Sequence, residues 1–188
     1  MTPTAINHLL ELINTGAPAS LGPERRPDAQ PLAALNRTLD EQLARAGVIG
    51  ERGDLIRALV LLWHDHLDAS HTISQGIESR DGSLVHGLMH RREPDYSNAK
   101  YWFRRVGKHP AFESVAEVAG ELFRIGDHAP LAAQLLPRGE WDACAFVDAC
   151  EVATARRAED TRTAALRELQ RTEFAMVLVH FCAEAELQ

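Results

Sequence analysis

Residues 54–77 read DLIRALVLLWHDHLDASHTISQGI, and this stretch decides the fold class. At about 100° per residue, its apolar side chains fall on one face of a helix. Those side chains are Leu55, Ile56, Leu59, Leu62, Trp63, Ile73 and Ile77. Asp54 suits the N-cap position, because its carboxylate can accept a backbone hydrogen bond there. The pattern therefore predicts one long amphipathic helix from Asp54 to Ile77.

The same helical spacing continues along most of the chain, and the sustained alternation that strands need does not occur. A short first helix is expected over residues 4–14, followed by an extended loop, rich in proline and glycine, from residue 16 to 31. Ser83 is expected to cap a short helix that ends before Pro94, and Asp95 or Ser97 to cap the next one. We expect an all-α, single-domain bundle of about eight helices, with an N-terminal helix and loop over residues 1–30 and a helical core over residues 31–188.

Bulk properties exclude several classes of protein. A chain of 188 residues suits one domain. Its formal net charge of −7 argues against a general binder of nucleic acids or acidic membranes. The longest apolar runs are shorter than the roughly 20 residues that a membrane helix needs. Three cysteines without a CxxC pair, and a start without a signal-peptide pattern, predict a cytoplasmic protein.

Histidines are concentrated in one part of the chain, with five of the nine between His64 and His90. Residues three or four apart are neighbours on a helix surface, so His64, Asp68 and His71 can converge. These three residues are the predicted catalytic set. His66 falls within the apolar face and is expected to be a hydrogen-bonded core residue.

A second histidine pair follows closely. His86 and His90 are four residues apart, and the SRDG turn should fold their helix back on the preceding one. The predicted metal ligands are His64, His71, His86 and His90, a set that suits zinc, iron or manganese. Two other interpretations stay open: a carboxylate that orients a ligating histidine without itself binding the metal, or a solvated polar edge.

The segment that follows, HRREPDYSNAKYWFRRVGKHP, is basic and aromatic. Guanidinium groups can grip a phosphate or carboxylate, so a small anionic molecule is the expected partner. The predicted substrate-binding residues are Arg104, Arg105, Tyr101 and Tyr96. The alternative is a surface of salt bridges, with Arg91 or Arg92 paired to Glu93 or Asp95. Further along, Glu173 is expected to face solvent.

The segment from Trp63 to Pro110 contains WHDHLDASH and the basic segment above, and it resembles a family of uncharacterised bacterial and fungal proteins with this pattern. The resemblance covers about a quarter of the chain and implies no particular activity. His64–Asp65 is also similar to the His–Asp doublet of HD-domain phosphohydrolases, whose upstream histidine has only His8 as a counterpart. The spacing of His86 and His90 is similar to the HxxxH pair of DinB-like helical proteins, which bind a metal through three histidines.

Three functions remain open at this point. The first is a metal-dependent enzyme of the hydrolase type, since a bound metal ion makes a nucleophile of water. The second is a metal-free site for acid–base chemistry or for binding a small anion. The third is a non-catalytic interaction protein with a structural histidine cluster. The sequence lacks a P-loop, a dinucleotide fingerprint and a nucleophile elbow.

Overall fold

The computed structural model describes residues 3–126, 128–156 and 160–183. Within these ranges the regular structure is helical and no strand occurs, which confirms the all-α prediction. The described residues form ten α-helices, more than the eight or so expected, and one 3-10 turn at Pro137–Gly139. The helices are α1 (Pro3–Ile13), α2 (Leu32–Ala46), α3 (Gly50–Trp63), α4 (Leu67–Ser74), α5 (Arg80–Arg92), α6 (Tyr96–Val106), α7 (Pro110–Ile125), α8 (Ala129–Leu135), α9 (Ala143–Arg156) and α10 (Thr161–Ala183).

Local signals set most helix ends. Gly47 ends α2 in the left-handed conformation, with φ of 67°, which glycine adopts without a steric penalty. Asp95 caps α6 by accepting a hydrogen bond from the Asn98 backbone N–H. The start of α5 differs from the prediction, because Ser79 and not Ser83 is its N-cap residue. Ser83 is buried inside α5, which begins three residues before that position, at Arg80.

The prediction of one long helix over residues 54–77 is wrong, because the chain forms two helices there. Helix α3 ends at Trp63 and α4 begins at Leu67. Between them Asp65 has φ of 63°, a left-handed conformation that aspartate tolerates better than most residues. The chain turns at this point, and α4 packs back against α3 and α5. Apolar spacing alone does not reveal such a break.

The core lies around α3, α5 and α10. Helix α3 is buried on nearly all sides from Leu55 to Trp63, as expected of a helix enclosed by others. The Trp63 ring lies 5.3 Å from that of Phe174 in α10, measured between ring centroids. Burying one large apolar side chain contributes about 1.5–3 kcal/mol, so this centre supplies much of the driving force for folding.

Residues 14–31 connect α1 to α2 and lie against the helical core. Ala19 and Leu21 are buried. The Gln170 side-chain amide of α10 donates hydrogen bonds to the carbonyls of Ala19 (3.1 Å) and Ser20 (2.9 Å). These contacts fix the connection to the last helix. Among the helices of the described ranges, none combines the length and apolar character that a bilayer span requires.

Candidate metal centre

Three histidines converge where α4 meets α5. His71 lies on α4, and His86 and His90 lie one turn apart on α5. One ring nitrogen from each lies within 4.8 Å of the others. The ring centroids are 4.9 Å apart for His71 and His86, 5.1 Å for His71 and His90, and 4.7 Å for His86 and His90. We call these three residues the histidine triad, and they are close enough to hold one metal ion.

Burial distinguishes the triad from a surface cluster. His86 and His90 are only 6% and 5% exposed, whereas His71 is half-buried and leaves one side open. The Nε2 atom of His86 is buried and has no hydrogen-bond partner within the part of the chain that the structure describes. A buried polar atom without a partner costs free energy, and coordination to a metal ion would remove that cost. The donor set therefore fits a metal ion that prefers imidazole nitrogen.

The protonation state of the triad histidines also favours metal binding. Burial lowers the pKa of His86 to about 4, and repulsion by positive charge on His90 and His71 adds to that effect. Burial also lowers the pKa of His90, although the Glu93 carboxylate acts in the opposite direction. Both rings are therefore mostly neutral near pH 7. A neutral imidazole has a lone pair on one nitrogen, which a metal ion requires.

Helix α6 supplies one wall of the site. Trp102 stacks on His86, with centroids 4.2 Å apart and planes inclined by 24°. The Arg105 guanidinium carbon lies 5.2 Å from the Trp102 ring centroid, and its Nη1 donates to the Tyr101 hydroxyl at 3.4 Å. Arg105 and Tyr101 are exposed. Two of the predicted substrate-binding residues are thus next to the triad.

The other two predicted substrate-binding residues lie elsewhere. Arg104 is exposed and lies near Cys144 of α9. Tyr96 is half-buried and lines a separate cleft of about 1120 Å³ between α9 and the connection from Ala17 to Pro27. The start and the end of α6 therefore face different parts of the molecule, which helical spacing alone did not resolve.

His64 and Asp68 do not join the triad. The His64 ring is buried; its Nε2 lies 2.7 Å from the Leu12 carbonyl, and its Nδ1 accepts from the Gln30 backbone N–H at 3.2 Å. Burial lowers its pKa. Asp68 is exposed on α4. The structure thus assembles three of the four predicted metal ligands but only one of the three predicted catalytic residues, because the turn after Trp63 separates His64 from His71.

The neighbouring Asp65 is a structural residue with two arginine partners. Its Oδ2 accepts from the Arg26 backbone N–H (2.9 Å) and Nε (3.1 Å), and its Oδ1 accepts from Arg92 Nη2 (2.8 Å). Arg92 also donates to the carbonyls of Gly22 and Leu62. Burial alone would raise the pKa of Asp65, but these hydrogen bonds outweigh it and lower the pKa. We call Asp65, Arg26 and Arg92 the Asp65 network.

His66 was expected to be a hydrogen-bonded core residue, but it is only half-buried. The hydrogen-bonded part of the expectation holds, because its Nε2 lies 2.8 Å from the Gln30 carbonyl. Together with His64 and the Asp65 network, it fixes residues 12–30 to the turn between α3 and α4. The HDH motif therefore anchors the N-terminal segment, and neither ring nitrogen of His64 is left for a metal ion.

Arg91 and Arg92 are fully buried and pair with buried carboxylates, which differs from the surface salt bridges considered above. Arg91 Nη2 pairs with Glu173 Oε2 at 2.5 Å, and both side chains are fully buried. The expectation that Glu173 faces solvent is wrong for this reason. The partners are 82 residues apart in the chain, so no local signal could have found the pair. Both arginines join α5, which presents His86 and His90, to the core.

A second cluster contains Asp81, His109 and His180, whose ligand atoms also lie within 4.8 Å of one another. His109 Nδ1 accepts from the Ala111 backbone N–H (3.2 Å) as the N-cap of α7, so its Nε2 holds the proton and donates to Asp81 Oδ1 (2.8 Å). Arg52 occupies the other Asp81 oxygen at 3.1 Å. We call these four residues the Asp81 network. His180 Nε2 lies 3.7 Å from the same Asp81 Oδ1. The network therefore joins α3, α5, α7 and α10 through Asp81.

Comparison with known proteins assigns no relative to this chain. No protein-family model matches it, and neither do any curated protein or solved structure.

Proposed function

We propose that this chain is a metal-dependent enzyme of the hydrolase type, in which His71, His86 and His90 hold zinc, iron or manganese. The observation that carries the proposal is the convergence of three ring nitrogens within 4.8 Å. One of these rings, His86, has a buried Nε2 atom with no partner among the residues that the structure describes. Three protein ligands leave positions open for water and substrate, which is the arrangement of catalytic metal sites. When bound, such an ion lowers the pKa of a coordinated water and supplies a nucleophile near neutral pH.

The chain's own residues would bind and orient a small anionic substrate. Arg105 is held over the Trp102 ring and bonded to Tyr101, so its remaining N–H groups are presented in a defined direction. Trp102 covers one face of His86 and excludes water from that side. The open side at half-buried His71 is the route by which a substrate would reach the centre. We place this activity in the cytoplasm, because Cys144, Cys150 and Cys182 are free thiols.

Metal analysis tests the proposal directly. The protein is purified without a nickel column and measured by plasma mass spectrometry, as wild type and as His71→Ala, His90→Ala and His8→Ala. His8 is an exposed histidine of α1 and serves as the matched control. We expect about one metal ion per chain in the wild type and in His8→Ala, and far less than one in both triad variants, because each has lost a ligand. Metal well below one ion per chain, or unchanged in the triad variants, would contradict the proposal.

A second function is favoured by one contact. His90 Nδ1 lies 3.1 Å from Glu93 Oε2, which is the geometry of a histidine–carboxylate pair in general acid–base catalysis. In that case the site would work without a metal and would bind the same kind of anion beside Arg105. Treatment with a chelator separates the two functions. A metal-free site would keep its activity and its anion binding after the metal is removed, whereas a metal-dependent site would lose its activity.

A further inference from the structure

Glu93 is placed to control the state of His90. It follows the last residue of α5, three positions after His90, so both side chains lie on the same side of the helix end. Its Oε2 lies 3.1 Å from His90 Nδ1. A carboxylate accepts hydrogen bonds and has none to donate, so the proton of the neutral ring must be on Nδ1. Nε2 then has the lone pair.

Asn98 lies over the face of the same ring. Its side-chain nitrogen lies 3.1 Å from His90 Nε2 and 3.5 Å from Nδ1. An atom at nearly equal distances from both ring nitrogens lies above the ring plane, so it does not occupy the in-plane lone pair of Nε2. The Glu93 contact therefore sets the tautomer, and Nε2 is left as the nitrogen that can bind a cation.

The rest of the triad is fixed differently. His86 is held by stacking against Trp102, and its Nε2 is one of the buried atoms without a partner in the described ranges. His90 is the triad residue with a carboxylate partner among the described contacts. In metal sites, a carboxylate that accepts the second ring N–H fixes the ring orientation and raises the basicity of the ligating nitrogen. That contact is a property of this chain before any metal binds.

We propose that Glu93 is a positioning residue that selects Nε2 of His90 as a metal ligand, an inference that rests on the proposed metal centre. Glu93 does not itself bind the metal in this proposal. Its effect passes through the His90 tautomer and should appear in zinc affinity. The loss of such a partner typically weakens metal affinity 10–100-fold.

The test compares Glu93→Ala and Glu93→Gln with Asp95→Asn. Asp95 Oδ2 lies 4.0 Å from the same His90 Nδ1, so the control removes an equal charge nearby, and asparagine keeps the α6 cap. Zinc affinity is measured by competition with a chromophoric chelator. We expect 10–100-fold weaker binding for Glu93→Ala and an intermediate loss for Glu93→Gln, which keeps an acceptor oxygen. Asp95→Asn should stay within about twofold of wild type, because asparagine preserves the cap.

Nitrogen-15 NMR of the metal-free protein gives a readout that needs no zinc. We expect His90 to be protonated at Nδ1 in the wild type and to shift toward the Nε2-protonated tautomer in Glu93→Ala. A wild-type ring protonated mainly at Nε2 would overturn the inference, and so would equal losses of zinc affinity in Glu93→Ala and Asp95→Asn. A wild type that binds none of the three metals would instead overturn the proposed function. Glu93 is 45% exposed, so its variants should fold.

Discussion

The histidine triad and the Asp65 network are both built from α5 and the segment around α4, yet they differ in how completely their polar atoms are paired. In the Asp65 network both carboxylate oxygens accept from arginine, and Arg92 donates to two backbone carbonyls as well. In the triad the His86 Nε2 atom is buried without a partner in the described ranges. The conspicuous His64–Asp65 doublet thus belongs to the fully paired region. A histidine–carboxylate doublet in the sequence can therefore serve the fold, whereas the triad combines converging ring nitrogens with an unpaired one.

Replacing Asp65 with asparagine should have the largest effect on stability, because it disrupts the Asp65 network. Asparagine tolerates the left-handed backbone at this position, so the change removes the charge and keeps the turn. Arg26 and Arg92 are then left as buried cations without their counter-ion. We expect a loss of about 3–5 kcal/mol in the free energy of unfolding, measured by urea denaturation at pH 7.5.

Asp68→Asn is the matched control for that change, because Asp68 is an exposed aspartate three residues further on. It should alter the free energy of unfolding by less than about 0.5 kcal/mol. A similar loss in both variants would mean that the Asp65 network contributes no special stability. Folded Asp65→Asn protein should still bind metal at the triad.

At the histidine triad, the next prediction concerns anion binding beside the metal. It is tested with Arg105→Met in zinc-loaded protein, with inorganic phosphate as the probe. Hydrogen bonds to a charged group contribute about 1.5–3 kcal/mol, so phosphate should bind about tenfold more weakly or worse. Arg104→Met is the matched control, since it removes the same charge from the neighbouring residue, which lies near α9. Isothermal titration calorimetry measures the phosphate affinity of both variants. Equal losses of phosphate affinity would contradict an anion site at Arg105.

A smaller effect should follow from His109→Ala in the Asp81 network. This change removes the N-cap of α7, which typically costs about 1 kcal/mol, and releases Asp81 from one partner. Thermal and urea unfolding measure the loss. Metal content should not change, because the His109 nitrogens are already committed to the fold. A fall in metal content with intact structure would show that the second cluster also holds an ion.

The smallest effect concerns pH and His64. Burial lowers the pKa of His64 in the folded protein from its ordinary value of 6.5, so the folded state binds fewer protons than the unfolded state. Its contribution to stability is therefore complete above pH 6.5 and is lost as the pH falls below that value. We expect the unfolding free energy of the wild type to decline more steeply between pH 7.5 and 5.5 than that of His64→Gln. Identical slopes would contradict this assignment.

Signals within a few residues predicted the all-α class and several helix ends. The bounds of α7 follow from Pro110 and the apolar spacing up to Ile125, and Asp95 caps α6 as one of two expected residues. The break at Asp65 could not be predicted in this way. Its backbone conformation is held by Arg26 and Arg92, which are 39 and 27 residues away in the chain. Only the folded chain brings these partners together.

The same limit applies to the site. The histidine spacing and the SRDG turn predicted that His71 could join His86 and His90, but excluding His64 from the set required the break that apolar spacing missed. The contact between Glu93 and His90 had a local signal, since the two residues are three positions apart. It was missed because Glu93 was interpreted as a surface salt-bridge partner of an arginine. The Arg91–Glu173 pair had no local signal at all.

The turn at residues 64–66 also determines which way every side chain of α4 points. Asp65 has a left-handed backbone and accepts hydrogen bonds from Arg26 and Arg92, so deleting a residue from this turn would remove the chain reversal that places α4 against α5. His71 would then leave the side that faces α5, although no histidine had been changed. The length of a three-residue turn therefore determines whether the proposed metal site can form. Insertions and deletions there should be far less tolerated than substitutions at exposed positions of α4.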